Sequence, residues 1–339
     1  MSGHHHPPDP RSYNGTLSHK AVRNRMYRNN SLSTSEAVSL FDVGAGQEQG
    51  GRPFQEDRFV VALPDHFPSK VEDKVAFFAI YDGHGSGLVS EHVSQTLHHL
   101  VGERQEFERG DWAVAIKAAL EEEDSILLDR FKRESAEPAL SGSTVAVCCI
   151  NLTVGELIVS NLGDSHVILA ERDPKTEHPY HIRRLTETHK PEVPREKARI
   201  EAAGGTTTIR GGTPRLGALN MSRALGDLQY KNPVNTFDPV PDPAASTSSR
   251  SESRGNFLSN DPYTSRRTLH SDRRYLLLMV SDGVSDRVDD ASLVQHVMKL
   301  SMRGKRASEI ATEITTNSAG HQHSDNASCI VAMLDGQGS

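Results

Sequence analysis

Carboxylates stand at the ends of four apolar runs in this sequence. Asp82 follows VAFFAIY, and Asp282 follows YLLLMVS. Asp325 comes shortly before ASCIVAML, and the pair Glu56-Asp57 comes directly before RFVVAL. In antiparallel pairing, the end of one strand lies beside the start of its neighbour. We therefore expect these carboxylates, which come from distant parts of the chain, to meet along one edge of a sheet.

A group of carboxylates of this kind favours the binding of a hard cation. Carboxylates held together repel one another and take up protons unless a cation lies among them. Oxygen ligands suit Mg²⁺ or Mn²⁺, whereas zinc fits less well because the sequence has no Cys-x-x-Cys or His-x-x-x-His pair. Gly83 lets a backbone carbonyl approach an ion and lets the chain turn sharply. A single Asp-Gly after a strand is most often only a turn, so the prediction depends on the repetition of the pattern.

Two further side chains near these carboxylates suit chemistry on a phosphate. Arg52 can grip a phosphate with two parallel hydrogen bonds, although a lone arginine is more often a surface residue. His84 is either a proton donor or a polar turn residue. The sequence contains no Gly-x-x-x-x-Gly-Lys-Ser/Thr loop, no Gly-x-Ser-x-Gly elbow and no Cys-x5-Arg loop. These absences disfavour a P-loop nucleotide-binding protein, a serine hydrolase and a cysteine phosphatase.

Short apolar or β-branched runs predict strands, and longer amphipathic runs predict helices. The predicted strands are Arg58–Leu63, Val75–Tyr81, Thr144–Ile150, Glu156–Asn161, His166–Ala170, Tyr275–Val280 and Ser328–Leu334. The predicted helices are Gly87–Val101, Trp112–Glu134, Arg195–Ala203, Ala291–Met302 and Ser308–Thr316. Strands and helices come in pairs rather than in strict alternation. This order favours an α+β fold with largely antiparallel sheets.

The organised sequence predicts one domain over residues 41–335, between two tails. Residues 1–40 are rich in Asn and Ser and predict a disordered N-terminal tail, and residues 336–339 predict a short C-terminal one. Within the domain, residues 239–260 are rich in Ser, Pro and Arg. This composition predicts a mobile surface insertion.

The composition of the sequence indicates which classes of partner and which cellular compartments are expected. A net charge of −7 argues against a nucleic-acid-binding protein. No apolar run is long enough to span a membrane, and Cys148, Cys149 and Cys329 lie in apolar runs typical of buried, reduced thiols. We expect a cytoplasmic protein. The basic start, with five Lys or Arg against two acidic residues over 1–36, would alternatively be a mitochondrial transit peptide, and the nucleus is a third alternative.

Eight motifs, in order along the chain, make the sequence similar to the type 2C (PPM-type) metal-dependent protein serine/threonine phosphatases. They are RPFQED (52–57), YDGHGS (81–86), SGSTVAV (141–147), NLGDSHVIL (161–169), LTETHKPEVPREKARIEAAGG (185–205), NMSRALGD (220–227), VSDGVSD (280–286) and HSDNAS (323–328). Each motif alone is weak, but the ordered set is specific. The resemblance implies a β-sandwich of two antiparallel sheets flanked by α-helices, with two Mg²⁺ or Mn²⁺ ions at one end.

The resemblance also implies roles for the carboxylates when they are matched position by position. Asp82 would bridge both ions, and Gly83 would offer its carbonyl. Asp282 and Asp325 would hold one ion, and Glu56 would hold the other through water.

Four further residues receive roles in the same way. Asp57 would lie behind the metal ligands, Arg52 would bind the substrate phosphate, and His84 would protonate the leaving serine or threonine oxygen. Asp164 and Asp286, together with Asp282, would form a weaker third metal site seen in some members. Arg223 and Asp227 are expected to form an internal ion pair.

The expected activity is hydrolysis of phosphoserine and phosphothreonine in proteins by a metal-bridged water, without a phosphoenzyme, in a monomer. Ser86, Thr188, His166 and Ser285 depart from the residues that are common in the family, but none is an expected metal ligand. Two alternatives stay open. One is a pseudophosphatase that acts as a binding module, and the other is a phosphohydrolase with the same metal site that acts on small molecules.

Overall fold

The computed structural model of the protein describes residues 36–175, 180–237 and 255–336. Within these ranges the strands are β1 (Val38–Glu48), β2 (Arg58–Ala62), β3 (Val75–Tyr81), β4 (Gly83–His84), β5 (Gly142–Ser143), β6 (Val145–Asn151), β7 (Glu156–Leu162), β8 (His166–Arg172), β9 (His181–Arg184), β10 (Thr208–Arg210), β11 (Thr213–Arg215), β12 (Leu225–Gly226), β13 (Tyr263–Thr268), β14 (Arg274–Val280) and β15 (Ala327–Gly336). The helices are α1 (Leu88–Gly102), α2 (Gln105–Glu108), α3 (Trp112–Arg133), α4 (Glu137–Leu140), α5 (Pro194–Ala202), α6 (Asp282–Ser285), α7 (Asp290–Met302) and α8 (Ala307–Ala319). No helix of the described residues is long and apolar enough to cross a membrane.

Two five-stranded antiparallel sheets form the centre of the fold. The strand order is β1-β15-β14-β8-β9 in the first sheet and β13-β7-β6-β3-β2 in the second. The short strands β12, β5 and β4 form a small third sheet just beyond the end of β3, and β10 pairs with β11. The expected α+β fold, a sandwich of two antiparallel sheets flanked by helices, is confirmed.

The central strands are apolar on both faces because each face meets a different part of the core. Successive side chains of a strand point to opposite faces. In β3, Phe78 and Ile80 pack into the cluster between the two sheets. The alternate residues Phe77 and Tyr81 pack into the cluster that faces the helices. Continuous apolar runs such as VAFFAIY follow from this burial on both sides.

Helices cover the outer face of each sheet. Leu97 of α1 packs in one cluster with Phe77 of the second sheet, and Ile310 of α8 packs with Leu278 of the first sheet. In β1, a Cβ atom on Gly46 would lie 2.5 Å from the backbone of α8. Glycine at this position therefore lets the edge strand and the helix touch backbone to backbone.

Strands β1, β9 and β13 were not predicted because their sequences lack the apolar signature of a central strand. β9 (HIRR) and β13 (YTSRRT) lie at sheet edges and are mostly polar, and β1 contains two glycines. β1 begins at Val38, before the domain boundary predicted at residue 41, and β15 extends through Gly336, which was assigned to the C-terminal tail. Residues 1–35 and 337–339, which hold most of the two predicted tails, lie outside the described residues.

The predicted mobile insertion, 239–260, is wrong at its C-terminal end. Phe257 and Leu258 are fully buried in a small cluster with Ile200 of α5 and with Tyr230. The backbone N–H groups of both residues donate to the carbonyl of Tyr230. Apolar burial and backbone pairing therefore hold this part of the segment on the domain. Residues 239–254 of the predicted insertion lie outside the described part of the chain.

Candidate active site

The structure brings the acidic strand ends together at one end of the sandwich. In the second sheet, Arg58 at the start of β2 pairs with Tyr81 at the end of β3, so Asp57 and Asp82 lie side by side. In the first sheet, Val280 at the end of β14 pairs with Cys329 near the start of β15. This register places Asp282 and Asp325 at the same end of that sheet.

Asp57 connects the two sheets at this end. Its Oδ2 accepts hydrogen bonds from Ser281 Oγ at 2.9 Å and from Ser328 Oγ at 2.8 Å. Ser281 follows β14, Ser328 lies in β15, and Asp57 precedes β2. The Asp57 side chain is 1% exposed. It therefore ties the ends of the two sheets together at this edge.

The carboxylate cluster, defined as Asp57, Asp82, Asp164, Asp282 and Asp325, is electrostatically strained. Burial raises the pKa of Asp82 well above its ordinary range, and repulsion from Asp282, Asp57 and Asp164 adds to this rise. The pKa of Asp282 is also raised, by burial first and then by Asp164 and Asp325. A bound cation would relieve the repulsion that otherwise favours protons.

Glycine follows two of these aspartates because the backbone is tightly packed there. A Cβ atom on Gly83 would lie 2.5 Å from both the Glu56 carbonyl oxygen and Ser90 Oγ. A Cβ atom on Gly283 would lie 1.9 Å from the Asn326 carbonyl oxygen. The Asp-Gly pairs therefore let neighbouring segments approach the site closely.

Asn326 holds the segment that carries Arg52 and Glu56. Its Oδ1 accepts a hydrogen bond from the Glu56 N–H at 2.8 Å. Its Nδ2 donates to the carbonyls of Gln49 at 2.7 Å and Phe54 at 3.0 Å. The sequence places Asn326 directly after Asp325, but no local pattern indicates a role for it. Its buried amide, which satisfies three backbone groups of another segment, is visible only in the fold.

Arg52 lies at the exposed mouth of the site. Its Nη2 donates to Asp325 Oδ2 at 2.6 Å, and its side chain is 53% exposed. Glu56 lies deeper, and burial raises its pKa, while the nearby His84 and Arg52 oppose that rise. The guanidinium is thus beside the carboxylates but open to solvent, where a phosphate can reach it.

His84 is paired with Asp227, and this contact corrects the predicted ion pair between Arg223 and Asp227. The distance from His84 Nε2 to Asp227 Oδ2 is 2.5 Å, and the Asp227 side chain is 1% exposed. Arg223 instead pairs with Glu196, at 2.6 Å. Burial opposes protonation of His84, but attraction to Asp227 outweighs it, so the pKa of His84 is raised. His84 Nδ1 is buried and has no hydrogen-bond partner among the described residues.

Two neighbouring features position the His84–Asp227 pair. A Cβ atom on Gly142 would lie 2.1 Å from Asp227 Oδ2 and 2.7 Å from His84 Nε2, so only glycine leaves room for the contact. Ser86 donates from Oγ to Glu137 Oε1 of α4 at 2.6 Å. The turn after His84 is therefore tied to a helix through the Ser86 side chain.

The expected third-site residues lie at the outer side of the cluster. Asp164 is 1% exposed, and Asp286, at the end of α6, is exposed. Repulsion from Asp286 contributes to a raised pKa of Asp164, although burial is the larger cause. No group of three or more His, Cys, Asp or Glu side chains in the described ranges has the arrangement of a preformed ion site. The fit to hard cations therefore depends on the type and charge of the donors, which are carboxylates.

Comparisons with known proteins match this arrangement to one family. The family model described as "Protein phosphatase 2C" matches residues 41–327. Protein spalten of Dictyostelium discoideum is 29% identical over 306 residues, covering 87% of this chain and 28% of that protein. Protein phosphatase fem-2 of Caenorhabditis elegans is 27% identical over 304 residues, covering 88% of this chain and 60% of that protein. The chain thus spans under two thirds of the length of these relatives.

Solved structures show the same fold. The serine-threonine phosphatase 2C from Toxoplasma gondii superposes with a TM-score of 0.67 at 22% sequence identity. The match covers 87% of this chain and 95% of that one. The resemblance inferred from the eight motifs is confirmed, whereas the roles of the individual site residues stay predictions.

Proposed function

The chain belongs to the protein phosphatase 2C family, and we propose that it is a metal-dependent phosphatase that hydrolyses phosphoserine and phosphothreonine in proteins. The observation that supports this most directly is the partly buried carboxylate cluster beside an open arginine and a paired histidine. Asp82, Asp282, Asp325 and Glu56 would hold two Mg²⁺ or Mn²⁺ ions, with the carbonyl of Gly83 as a further ligand. Bound ions of this kind lower the pKa of water and neutralise charge on phosphoryl oxygens.

Arg52 binds and orients the phosphate in this proposal. Its guanidinium is paired with Asp325 but half exposed, so a substrate phosphate can take over part of its hydrogen bonding. A planar guanidinium matches two phosphate oxygens at once. Placing the phosphoryl group in this way aligns it with the attacking water.

His84 supplies the proton for the leaving group. As water attacks phosphorus, the bond from phosphorus to the serine or threonine oxygen breaks, and that oxygen takes the proton. Asp227 holds Nε2 of the ring and stabilises its protonated form, which is the form that can donate the proton. General acid catalysis of this kind contributes roughly 10²–10⁴-fold to the rate. A nucleophilic side chain is not needed, because water is the nucleophile.

The test is hydrolysis of a phosphothreonine peptide after EDTA treatment, with Mg²⁺ or Mn²⁺ then added back. We expect turnover only with added metal, and loss of turnover in Asp282→Asn because the cluster loses a charged ligand. Asp335→Asn, at a partly exposed aspartate of β15 away from the cluster, is the matched control. Metal-independent turnover would contradict the proposal.

Two negative results have separate meanings. Metal binding without hydrolysis of any phosphopeptide, together with hydrolysis of small phosphate esters, would favour a small-molecule phosphohydrolase. Absence of both metal binding and turnover would favour a binding module.

A further inference from the structure

Lys190 places an ammonium group among the outer carboxylates of the site. Its Nζ lies 3.3 Å from Asp164 Oδ2. Asp282 and Asp286 are close enough to attract the same ammonium. We call Asp164, Asp282 and Asp286 the outer carboxylate group.

The backbone fixes Lys190 in this position. The N–H of His189 donates to the Gly163 carbonyl at 3.0 Å, and the N–H of Gly163 donates to His189 Nδ1 at 3.1 Å. Lys190 and Asp164, the residues that directly follow this reciprocal pair, are therefore held side by side. His189 is fully buried, which makes the connection rigid.

The Asp164 carboxylate depends on the ammonium group of Lys190 for a partner. Both of its carboxylate oxygens are buried, and neither accepts a hydrogen bond of ordinary geometry within the described residues. A buried carboxylate without a partner is costly, so a cation is needed beside it. Lys190, whose side chain is 23% exposed, supplies that cation.

We infer that Lys190 is a built-in counter-ion of the outer carboxylate group, and that it competes with a third divalent ion for these oxygens. The inference builds on the proposed function, since the group adjoins the proposed two-ion site. An ammonium and a divalent cation repel each other and require the same lone pairs. A third ion therefore has to displace the ammonium, and its observed affinity is reduced by the cost of that displacement.

The test counts bound Mn²⁺ on metal-free protein by the electron paramagnetic resonance signal of the free ion. The variants are Lys190→Gln, which removes the charge but keeps a hydrogen-bond donor, and Lys190→Arg, which keeps the charge. We expect the weakest ion to bind at least about tenfold more tightly to Lys190→Gln than to wild type, and to remain weak in Lys190→Arg. Adding Asp286→Asn to Lys190→Gln should return the affinity for the weakest ion to about that of wild type, because one of its carboxylate ligands is removed.

Two results would overturn the inference. One is a weakest ion that binds no more tightly to Lys190→Gln than to wild type, and the other is an equal gain in Lys190→Arg. If Lys190→Gln does not fold without metal, Lys190→Met and a thermal melt at increasing Mn²⁺ give the same comparison. If Lys190→Gln keeps wild-type turnover and wild-type affinity for the two tight ions, and its affinity for the third ion is unchanged, this inference alone is rejected. If the wild-type protein shows neither ion binding nor turnover, the proposed function is rejected as well.

Discussion

At the scale of single residues, the site depends on contacts between groups that are distant in sequence. His84 and Asp227 are 143 positions apart, and Asp57 and Ser328 are 271 apart. The first contact exists only because Gly142 has no side chain. The chemistry of His84 therefore depends on three segments that must be correctly packed at once.

The role of Asp227 can be tested by the dependence of the rate on the leaving group. Asp227→Asn should reduce hydrolysis of a phosphothreonine peptide by roughly 10²-fold, because the poorly oriented His84 no longer protonates an alkoxide. p-Nitrophenyl phosphate has a leaving group that departs without a proton, so its hydrolysis should fall far less. The ratio of kcat values for the two substrates is the measurement, with His84→Gln as the positive control. An equal loss on both substrates would instead indicate a general structural defect.

At the scale of elements, the sequence predicted the central strands well because both of their faces are buried. β3, β6, β7, β8, β14 and β15 lie within a few residues of their predicted bounds, since continuous apolar runs end where burial ends. Edge strands such as β9 carry polar side chains and give no such signal. The site was also predicted only in part. The meeting of the acidic strand ends could be predicted, because antiparallel pairing places the end of one strand beside the start of the next. The roles of Asn326 and Asp227 depend on tertiary packing that no local pattern displays.

Asn326 should couple the Arg52–Asp57 segment to β15. Asn326→Ala would leave the Glu56 N–H and two carbonyls without their partner, and we expect a loss of about 1–3 kcal/mol in the free energy of unfolding. Metal affinity should fall as well, because Glu56 is no longer held. Urea denaturation with and without Mn²⁺ measures both effects. Asn317→Ala, at an exposed position of α8, is the matched control.

The ion pair between α5 and the segment after residue 220 predicts a pH dependence of stability. Burial alone would raise the pKa of Glu196, but hydrogen bonds from Arg223 and Ser222 outweigh it and lower that pKa to about 2. A carboxylate with a lowered pKa stabilises the fold above its ordinary value of 4.5, and this contribution is lost as the pH falls toward about 2.

Glu196→Gln should therefore flatten the acid limb of the stability curve. Between pH 4.5 and pH 2, wild type should lose up to about 1.4 kcal/mol more per pH unit than the variant. The variant will be less stable at neutral pH, because Arg223 loses its buried partner. Denaturant melts across this range measure the slope, and Glu201→Gln on the exposed face of α5 should retain the wild-type slope. Parallel curves for wild type and Glu196→Gln would show that this pair does not titrate as expected.

At the scale of the whole molecule, repulsion among the carboxylates at one end of the sandwich destabilises the fold, and the apolar core stabilises it. The two sheets enclose one core cluster, and the helices enclose two more on their outer faces. Asp57, Asp82 and Asp282 each have a raised pKa, which means that their charged forms are unfavourable in the folded protein. Burial of the apolar core has to offset this cost. Stability and cation binding are therefore linked through the same residues.

This link predicts opposite effects of one substitution in the absence and presence of metal. Asp282→Asn removes a charge from the cluster, so the metal-free variant should be more stable than metal-free wild type, by about 1 kcal/mol. Wild type should gain thermal stability steadily as Mg²⁺ or Mn²⁺ is added, because ions that bind only the folded state stabilise it by mass action. The variant should gain much less, so the order of the two melting temperatures should reverse at saturating metal. Melting curves at increasing metal concentration measure the crossing. A variant that is less stable than wild type under every condition would show that Asp282 contributes to the fold by its contacts, and that repulsion within the cluster is not what cations relieve.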